Sequence, residues 1–420
     1  MTSRREFLKR SASLGAATIF GSLAPLPSTA ATRPTAFAGG RVLRSPQDPM
    51  IEDGVVLIED TTITAVGPRG AIHVPKDART IDCRGQTVTA GFWNCHVHFM
   101  GDSFRAADTA PAGSLAVALR SMLTSFGFVH VVDTGSYLAN TLALRHRIES
   151  GEIPGPSILT SGSAFVPAGG SPYYILPTKA PELTRVEDAI LVETELTRGA
   201  DIVKLMTGSW ATPSSIMVMP IEIVRAAVEV AHRRGKPVFA HPSNSPGARV
   251  AIEGGVDVLA HTFPTSLDGT PWDRALPKMM KERGMALVPT LKLWPYEVRR
   301  AGRSPDLVEL VLGNAVAQTR AFAELGGQLL FGTDVGYMAD FDTTDEFAYL
   351  QRAGLTSAQI LAMLTTAPAT RFGLAARRGR LAAGFAADVV VLAGDPTQDV
   401  RAFAKVRLAM RDGSTICDAN

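Results

Sequence analysis

Several kinds of protein are excluded by what this sequence has little of. Its three cysteines, Cys83, Cys95 and Cys417 in 420 residues, lie too far apart for a CxxC metal or redox motif and allow at most one disulfide. Neither charge sign dominates. The 42 Lys and Arg residues against 40 Asp and Glu leave a net charge of +2, with no basic stripe interleaved with aromatics, so nothing points to a nucleic-acid partner. No apolar run is long enough for a stable membrane helix. What remains, with 46% hydrophobic and 20% charged residues, is an ordinary globular chain long enough for one large domain and a smaller one.

The first thirty residues read as an export signal. Ser3-Arg4-Arg5-Glu6-Phe7-Leu8-Lys9 matches the twin-arginine pattern. A mildly apolar Ala/Gly-rich stretch follows, and the small residues Ser28-Thr29-Ala30 offer a cleavage site. The expectation is a twin-arginine signal peptide over 1–30, export by the Tat machinery, and a bacterial periplasmic or secreted mature protein. That route carries folded proteins and suits an enzyme that loads its cofactor before export.

Residues 31–90 read as short strands and turns, because VVLIED, TITAVG and RTIDCRGQTVTA alternate apolar with polar residues between Gly and Pro. From Gly91 the texture changes. Eight strand-like runs follow: FWNCHVHF, FVHVVDTG, PSILTSG, DIVKLM, KPVFAH, VDVLAH, MALVPTL and QLLFGTD. Between them lie amphipathic helical segments such as PIEIVRAAVEVAHRRG, several of which stop at Gly. Eight βα units predict an α/β fold, a TIM (β/α)8 barrel over 91–366. After a last helix near TSAQILAMLTTAPATRFG, residues 367–420 return to strand and turn. They are expected to pair with 31–90 in a small β-sandwich domain.

Active sites of such barrels lie at the C-terminal ends of the strands. The polar residues there are His96 and His98 on the first strand, Lys204 on the fourth, His241 on the fifth, His261 on the sixth and Asp334 on the eighth. Side chains at i and i+2 of a strand share a face, so His96 and His98 converge, and Cys95, between Asn94 and His96, is expected to point away from them as a small core residue. Read singly, each has a plainer role: a satisfied core histidine, a barrel-end ion-pair partner for Lys204, a helix cap for Asp334. Read together, imidazoles and a carboxylate at one barrel mouth are the donor set of zinc or a similar divalent ion, in sufficient number for two ions. Lysine is the odd member. Its ammonium has no lone pair, but a desolvated neutral amine can take up carbon dioxide as a carbamate, an anion able to bridge two metals.

These residues carry a resemblance. AGFWNCHVHF resembles the first-strand signature of the amidohydrolase superfamily, and VFAH, VLAHT and FGTD resemble its fifth-, sixth- and eighth-strand signatures. TAPATRFGLAARRGRLAAGFAADVVVLAGDP resembles its C-terminal return to the sheet domain. DIVKLMTGS is similar to the fourth strand of the branch with a carboxylated lysine, which includes metal-dependent dipeptidases, prolidases and ochratoxin-type amidases. The resemblance implies that His96, His98 and Asp334 hold a buried metal and that His241 and His261 hold a more exposed one. N6-carboxylated Lys204 bridges them together with a hydroxide nucleophile. Asp334 then acts as general base and acid, and two divalent ions, zinc as the expected metal, act on a small-molecule substrate with a carbonyl C–N bond: an amide, peptide, carbamate or cyclic imide.

The chain departs from the family pattern in places. Asn94 and Ala90 stand where the family has Asp and Pro, and Asn94 is expected to support a metal-binding histidine from behind. His241 is followed by Pro242-Ser243-Asn244, without the Glu of the mononuclear deaminases. Gly169-Gly170 is followed by Ser171 where the peptidase branch has His. As lining for a substrate pocket the sequence offers Ser171, Tyr173, Tyr174, Trp210 and His130, the last being also a core candidate. Two other readings stay open: an ester, lactone or phosphotriester hydrolase using the same site, and an exported metal- or solute-binding protein without activity. Oligomeric state is not readable from the sequence.

Overall fold

The computed structural model describes residues 33–175, 178–263 and 271–419. The expected twin-arginine segment lies outside them. Barrel strands one to eight start at Phe92–Val97, Phe128–Asp133, Ser157–Thr160, Val203–Met206, Val238–His241, Val258–Ala260, Ala286–Val288 and Gln328–Leu329. All eight fall within the runs anticipated from the sequence. Every ladder between them is parallel. The third strand bends after Thr160. Its first part pairs with strand two, and a continuation, Ala164–Pro167, pairs with strand four.

Alternation along the strands explains the layers. Val132, Ile202, Phe239, Val258, Val288 and Leu330 form one buried cluster that fills the barrel. Their chain neighbours Val131, Val203, Ala240, Leu259, Leu287 and Phe331 belong to a second cluster under the helices. Both faces are apolar because a parallel sheet is covered on both sides.

The barrel closes where strand eight meets strand one. Cys95 N–H donates to Phe331 C=O at 2.7 Å, His98 N–H to Val335 C=O at 2.9 Å and Asp334 N–H to His96 C=O at 2.9 Å. Two glycines permit this approach. A Cβ on Gly332 would sit 2.9 Å from His96 Cβ and 2.3 Å from Val288 Cγ1. Gly336, at φ +93°, would meet the His98 carbonyl oxygen at 1.8 Å.

Two features depart from simple alternation. On strand one, Asn94 pairs with Val131 and Val97 with Asp133, three steps against two, which is a β-bulge. Cys95 packs with Trp93, two residues before it, in the barrel-filling cluster, the small core residue that the sequence suggested. The Asn94 amide explains the bulge: its Oδ1 accepts His96 N–H at 3.2 Å and its Nδ2 donates to Thr333 Oγ1 at 2.7 Å. Asn94 thus supports backbone and turn, not a histidine ring, and its NH2 makes a donation an Asp could not. After strand four, Gly208–Thr212 and Ser215–Val218 form an unanticipated hairpin. The last helical stretch splits into Ser357–Leu364 and Thr366–Arg371, because Pro368 cannot donate to the Leu364 carbonyl.

The terminal segments pair as expected. Val389–Leu392 runs antiparallel to Thr87–Ala90, within an eight-stranded sheet built from both ends of the chain. His130 belongs to this junction and does not line a substrate pocket. Its Nε2 meets Asp388 Oδ2 at 2.9 Å, its Nδ1 meets Ser157 Oγ at 2.5 Å, and its ring stacks 4.4 Å from Trp93. Arg378 Nη1 and the Asp412 N–H also bind the Asp388 carboxylate. Burial alone would raise Asp388, but His130 and Arg378 hold it well below its ordinary value of 3.8. A carboxyl depressed on folding contributes stability that is complete above its unfolded value and drains away as pH falls toward the folded one. Asp388→Ala is expected to lower the unfolding free energy by about 3–5 kcal/mol in neutral urea titrations, with the difference from wild type shrinking steadily below about pH 4.

Candidate metal centre

Six side chains chosen from the sequence meet at the C-terminal mouth of the barrel. His96 and His98 project from the bulged end of strand one, with ring centroids 5.2 Å apart. The His261 ring is 4.3 Å from His96 and 4.7 Å from His241. Asp334 Oδ1 lies 2.9 Å from His98 Nε2 and 3.3 Å from His96 Nε2, and Oδ2 lies 4.0 Å from His261 Nε2. One ligand atom from each of His96, His98 and Asp334 falls within 4.8 Å of the others. Lys204 is buried on strand four, beside Phe239 of the strand that ends in His241.

Hydrogen bonds set which nitrogen each ring leaves bare. His98 Nδ1 is 2.7 Å from the Gly135 carbonyl, which can only accept, so Nδ1 carries a proton and Nε2 is the nitrogen turned toward Asp334. Thr290 Oγ1 donates to Pro289 C=O and therefore accepts from His261 Nδ1–H at 2.7 Å. His261 Nε2 is left free. Ser243 Oγ donates to Gly208 C=O, so it accepts from His241 Nε2–H at 3.0 Å and leaves Nδ1 as the bare atom. Both ring nitrogens of His96 and Asp334 Oδ1 are buried without a hydrogen bond among the described residues.

Burial decides the charges. His96 and His241 are pushed down to about 3, by burial first and the Lys204 charge second. His261 is held well below its ordinary value for the same first reason, reinforced by His96. Burial pulls the Lys204 amine down to about 7, against the opposing pull of Asp334 and Asp133. Desolvation would raise Asp334, yet His96, His98 and His261 keep it well below its ordinary value. The result is lone pairs facing a carboxylate. His98 Nε2 and Asp334 Oδ1 face each other at 2.9 Å, close enough for one cation to be held by both. The residues therefore fit a divalent metal, with imidazole and carboxylate donors of the right type.

The backbone is strained in the same place. Ser243, His261, Thr290 and Asp334 have φ of 54°, 76°, 46° and 63°, one at the end of each of strands five to eight. A left-handed non-glycine residue costs about 1–3 kcal/mol and persists only where its surroundings over-determine it.

Ser243, Thr290 and Gly135 are supporting groups that residue-type reasoning passed over. The signal available for Ser243 was its place two residues after His241. Tyr337, three residues after Asp334, was likewise missed; its ring lies 5.4 Å from Tyr174. Of the proposed pocket residues, Tyr174 thus touches the Asp334 loop through Tyr337, while Tyr173 is exposed and packs on Tyr174. Ser171 Oγ is used locally, accepting Ala180 N–H, and Trp210 is half-buried on the hairpin.

A parallel barrel with a histidine-carboxylate cluster at its C-terminal mouth defines a metal-dependent hydrolase of TIM-barrel type. The chain belongs to the amidohydrolase family, whose sequence pattern matches residues 87–416. It is 25% identical to ochratoxinase of Aspergillus niger over 90% of this chain and 85% of that protein. It is 24% identical to enamidase of Eubacterium barkeri over 67% of this chain and 70% of the other. A Xaa-Pro dipeptidase with methionine in its active site superposes with a TM-score of 0.77 at 21% identity, covering 91% of this chain and 99% of that one. A prolidase complexed with N-methylphosphonate-L-proline gives 0.73 at 26% identity, with coverage of 91% and 99%. The chain is thus a metal-dependent amidohydrolase acting on a small-molecule substrate. None of the helices among the described residues is long and apolar enough to cross a membrane.

A ligand that binds only the folded state stabilises it by mass action, about 4 kcal/mol at a thousand times its Kd. Stripping divalent ions with a chelator is therefore expected to lower the melting temperature by several degrees, and zinc, cobalt or manganese to restore it. Identical melting curves with and without chelator would exclude a metal at this cluster.

Proposed function

We propose that the enzyme hydrolyses a carbonyl C–N bond with two divalent ions, zinc as the expected metal. His96, His98 and Asp334 would hold the more buried ion, His241 and His261 the more exposed one, and carboxylated Lys204 would bridge them. The observation that carries this reading is the set of bare ring nitrogens. His98 and His261 each commit Nδ1 to a protein acceptor and His241 commits Nε2, which leaves His98 Nε2, His261 Nε2 and His241 Nδ1 as the atoms that would bind metal. Similarity to an ochratoxinase and an enamidase supports an amide or related C–N substrate.

Lys204 supports the bridging role. The residue is 2% exposed. Burying an ammonium is costly. At about 7 much of the amine is neutral near pH 7 and can attack carbon dioxide; a C–N bond forms, one proton leaves and the product is an anion that suits two cations. Bound divalent ions lower the pKa of water and polarise a carbonyl. Asp334 is the acceptor for the proton of the attacking water and delivers it to the leaving nitrogen, which must depart as an amine. Tyr174 and Tyr337 would wall the approach beside Asp334. We further propose, from Ser3 to Lys9, that the enzyme is exported by the Tat machinery to the periplasm or beyond.

Lys204→Ala is expected to lower kcat/KM on an amide substrate at least about 1,000-fold, roughly 4 kcal/mol, with partial rescue by added short carboxylic acids. Full activity and two metals per chain in this variant would refute the bridge. Turnover of a panel of N-acyl amino acids, dipeptides and aromatic amides, set against esters and phosphotriesters, tests the bond class.

A further inference from the structure

We propose that Glu346 is a positioning residue for His261, acting through the turn Thr290-Leu291-Lys292; the inference rests on the reading of His261 as a metal ligand. Glu346 lies on the helix Thr344–Arg352, downstream of strand eight, and is 1% exposed. Among the described residues it forms no ion pair. Its two oxygens instead accept main-chain N–H groups, Oε1 from Leu291 at 2.9 Å and Oε2 from Lys292 at 2.7 Å. Only a carboxylate serves both, since it offers two acceptors and no donor; the amide of a glutamine would set an NH2 against one of the two N–H groups.

The turn held in this way begins with Thr290. This β-branched residue stands at φ 46°, a conformation such residues rarely adopt unless something outside them imposes it. In that conformation its hydroxyl donates to its neighbour's carbonyl and receives His261 Nδ1–H. His261, itself at φ 76°, therefore takes its tautomer and ring orientation from Thr290, and Thr290 takes its backbone from Glu346. A second tie runs alongside: Trp294 Nε1 donates to Thr262 Oγ1 at 2.7 Å, joining the helix after the turn to the residue after His261. Local sequence gives no hint of this, because Glu346 stands 85 positions from His261.

A merely structural cap would affect folding stability and nothing at the metal centre. The test therefore compares wild type with E346Q, T290V and E346D in two experiments. In metal-free protein with 15N-labelled histidine, nitrogen NMR reads the His261 tautomer directly. Wild type is expected to show a single Nδ1–H form, E346Q and T290V a mixture of both, and E346D an intermediate pattern. In metal-loaded protein, chelator competition reads each ion separately. E346Q is expected to weaken one of the two ions about 10–100-fold and the other less than about threefold, with T290V doing the same and the double variant adding little. An E346Q protein that melts earlier but keeps the wild-type tautomer and both affinities overturns the proposal, as does equal weakening of both ions. If E346Q does not fold, T290V and E346D decide by the same readings. Should wild type hold no metal pair, the hydrolase reading fails, while the tautomer experiment still judges Glu346.

Discussion

Closure of the barrel between strands one and eight is the constraint on which the rest depends. The main-chain hydrogen bonds from Cys95 to Phe331, from Asp334 to His96 and from His98 to Val335 complete the parallel sheet. In doing so they carry Asp334 to within 2.9 Å of His98. Fold and site are thus one structural event. The glycines at 332 and 336 belong to both, since any side chain there would collide with His96 or with the His98 carbonyl. The Asn94 amide serves both as well, bracing the bulge on one strand and Thr333 on the other.

Around this seam the protein meets the cost of burying imidazoles by committing one nitrogen of three rings to a fixed acceptor: Gly135 for His98, Ser243 for His241 and Thr290 for His261. Each acceptor stands on a loop after a strand, and two of the three have left-handed backbones. Strain and the geometry of the candidate site therefore coincide, as expected where surrounding structure dictates conformation. The cluster of lone pairs that results is unfavourable alone and becomes favourable with a cation. The fold in effect prepares a place that only a metal completes.

At the opposite end of the barrel the same residue type does a different job. His130 occupies strand two as His96 occupies strand one, yet it is saturated by Ser157 and Asp388 and stacked on Trp93. It ties the barrel to the C-terminal return of the chain. The contrast separates a structural histidine from a candidate ligand: both nitrogens of His130 are occupied, whereas those of His96 are bare.

Much of this was legible in the chain itself. Eight apolar runs with helical segments between them specify the barrel, because strand and helix periodicities are local properties, and polar residues at the strand ends mark the six candidate site residues. What stayed illegible was whatever depends on a partner remote in sequence. The bulge between Asn94 and Val97 is a matter of register against strand two. The role of His130 waits on Asp388, 258 positions away, and the tautomer of His261 on Thr290. Composition and periodicity thus determined the architecture and the donor set, since burial patterns repeat within a few residues. Only the closed barrel decided which nitrogen each ring leaves bare and which side chain holds it so, because hydrogen bonds across loops have no signature in local sequence.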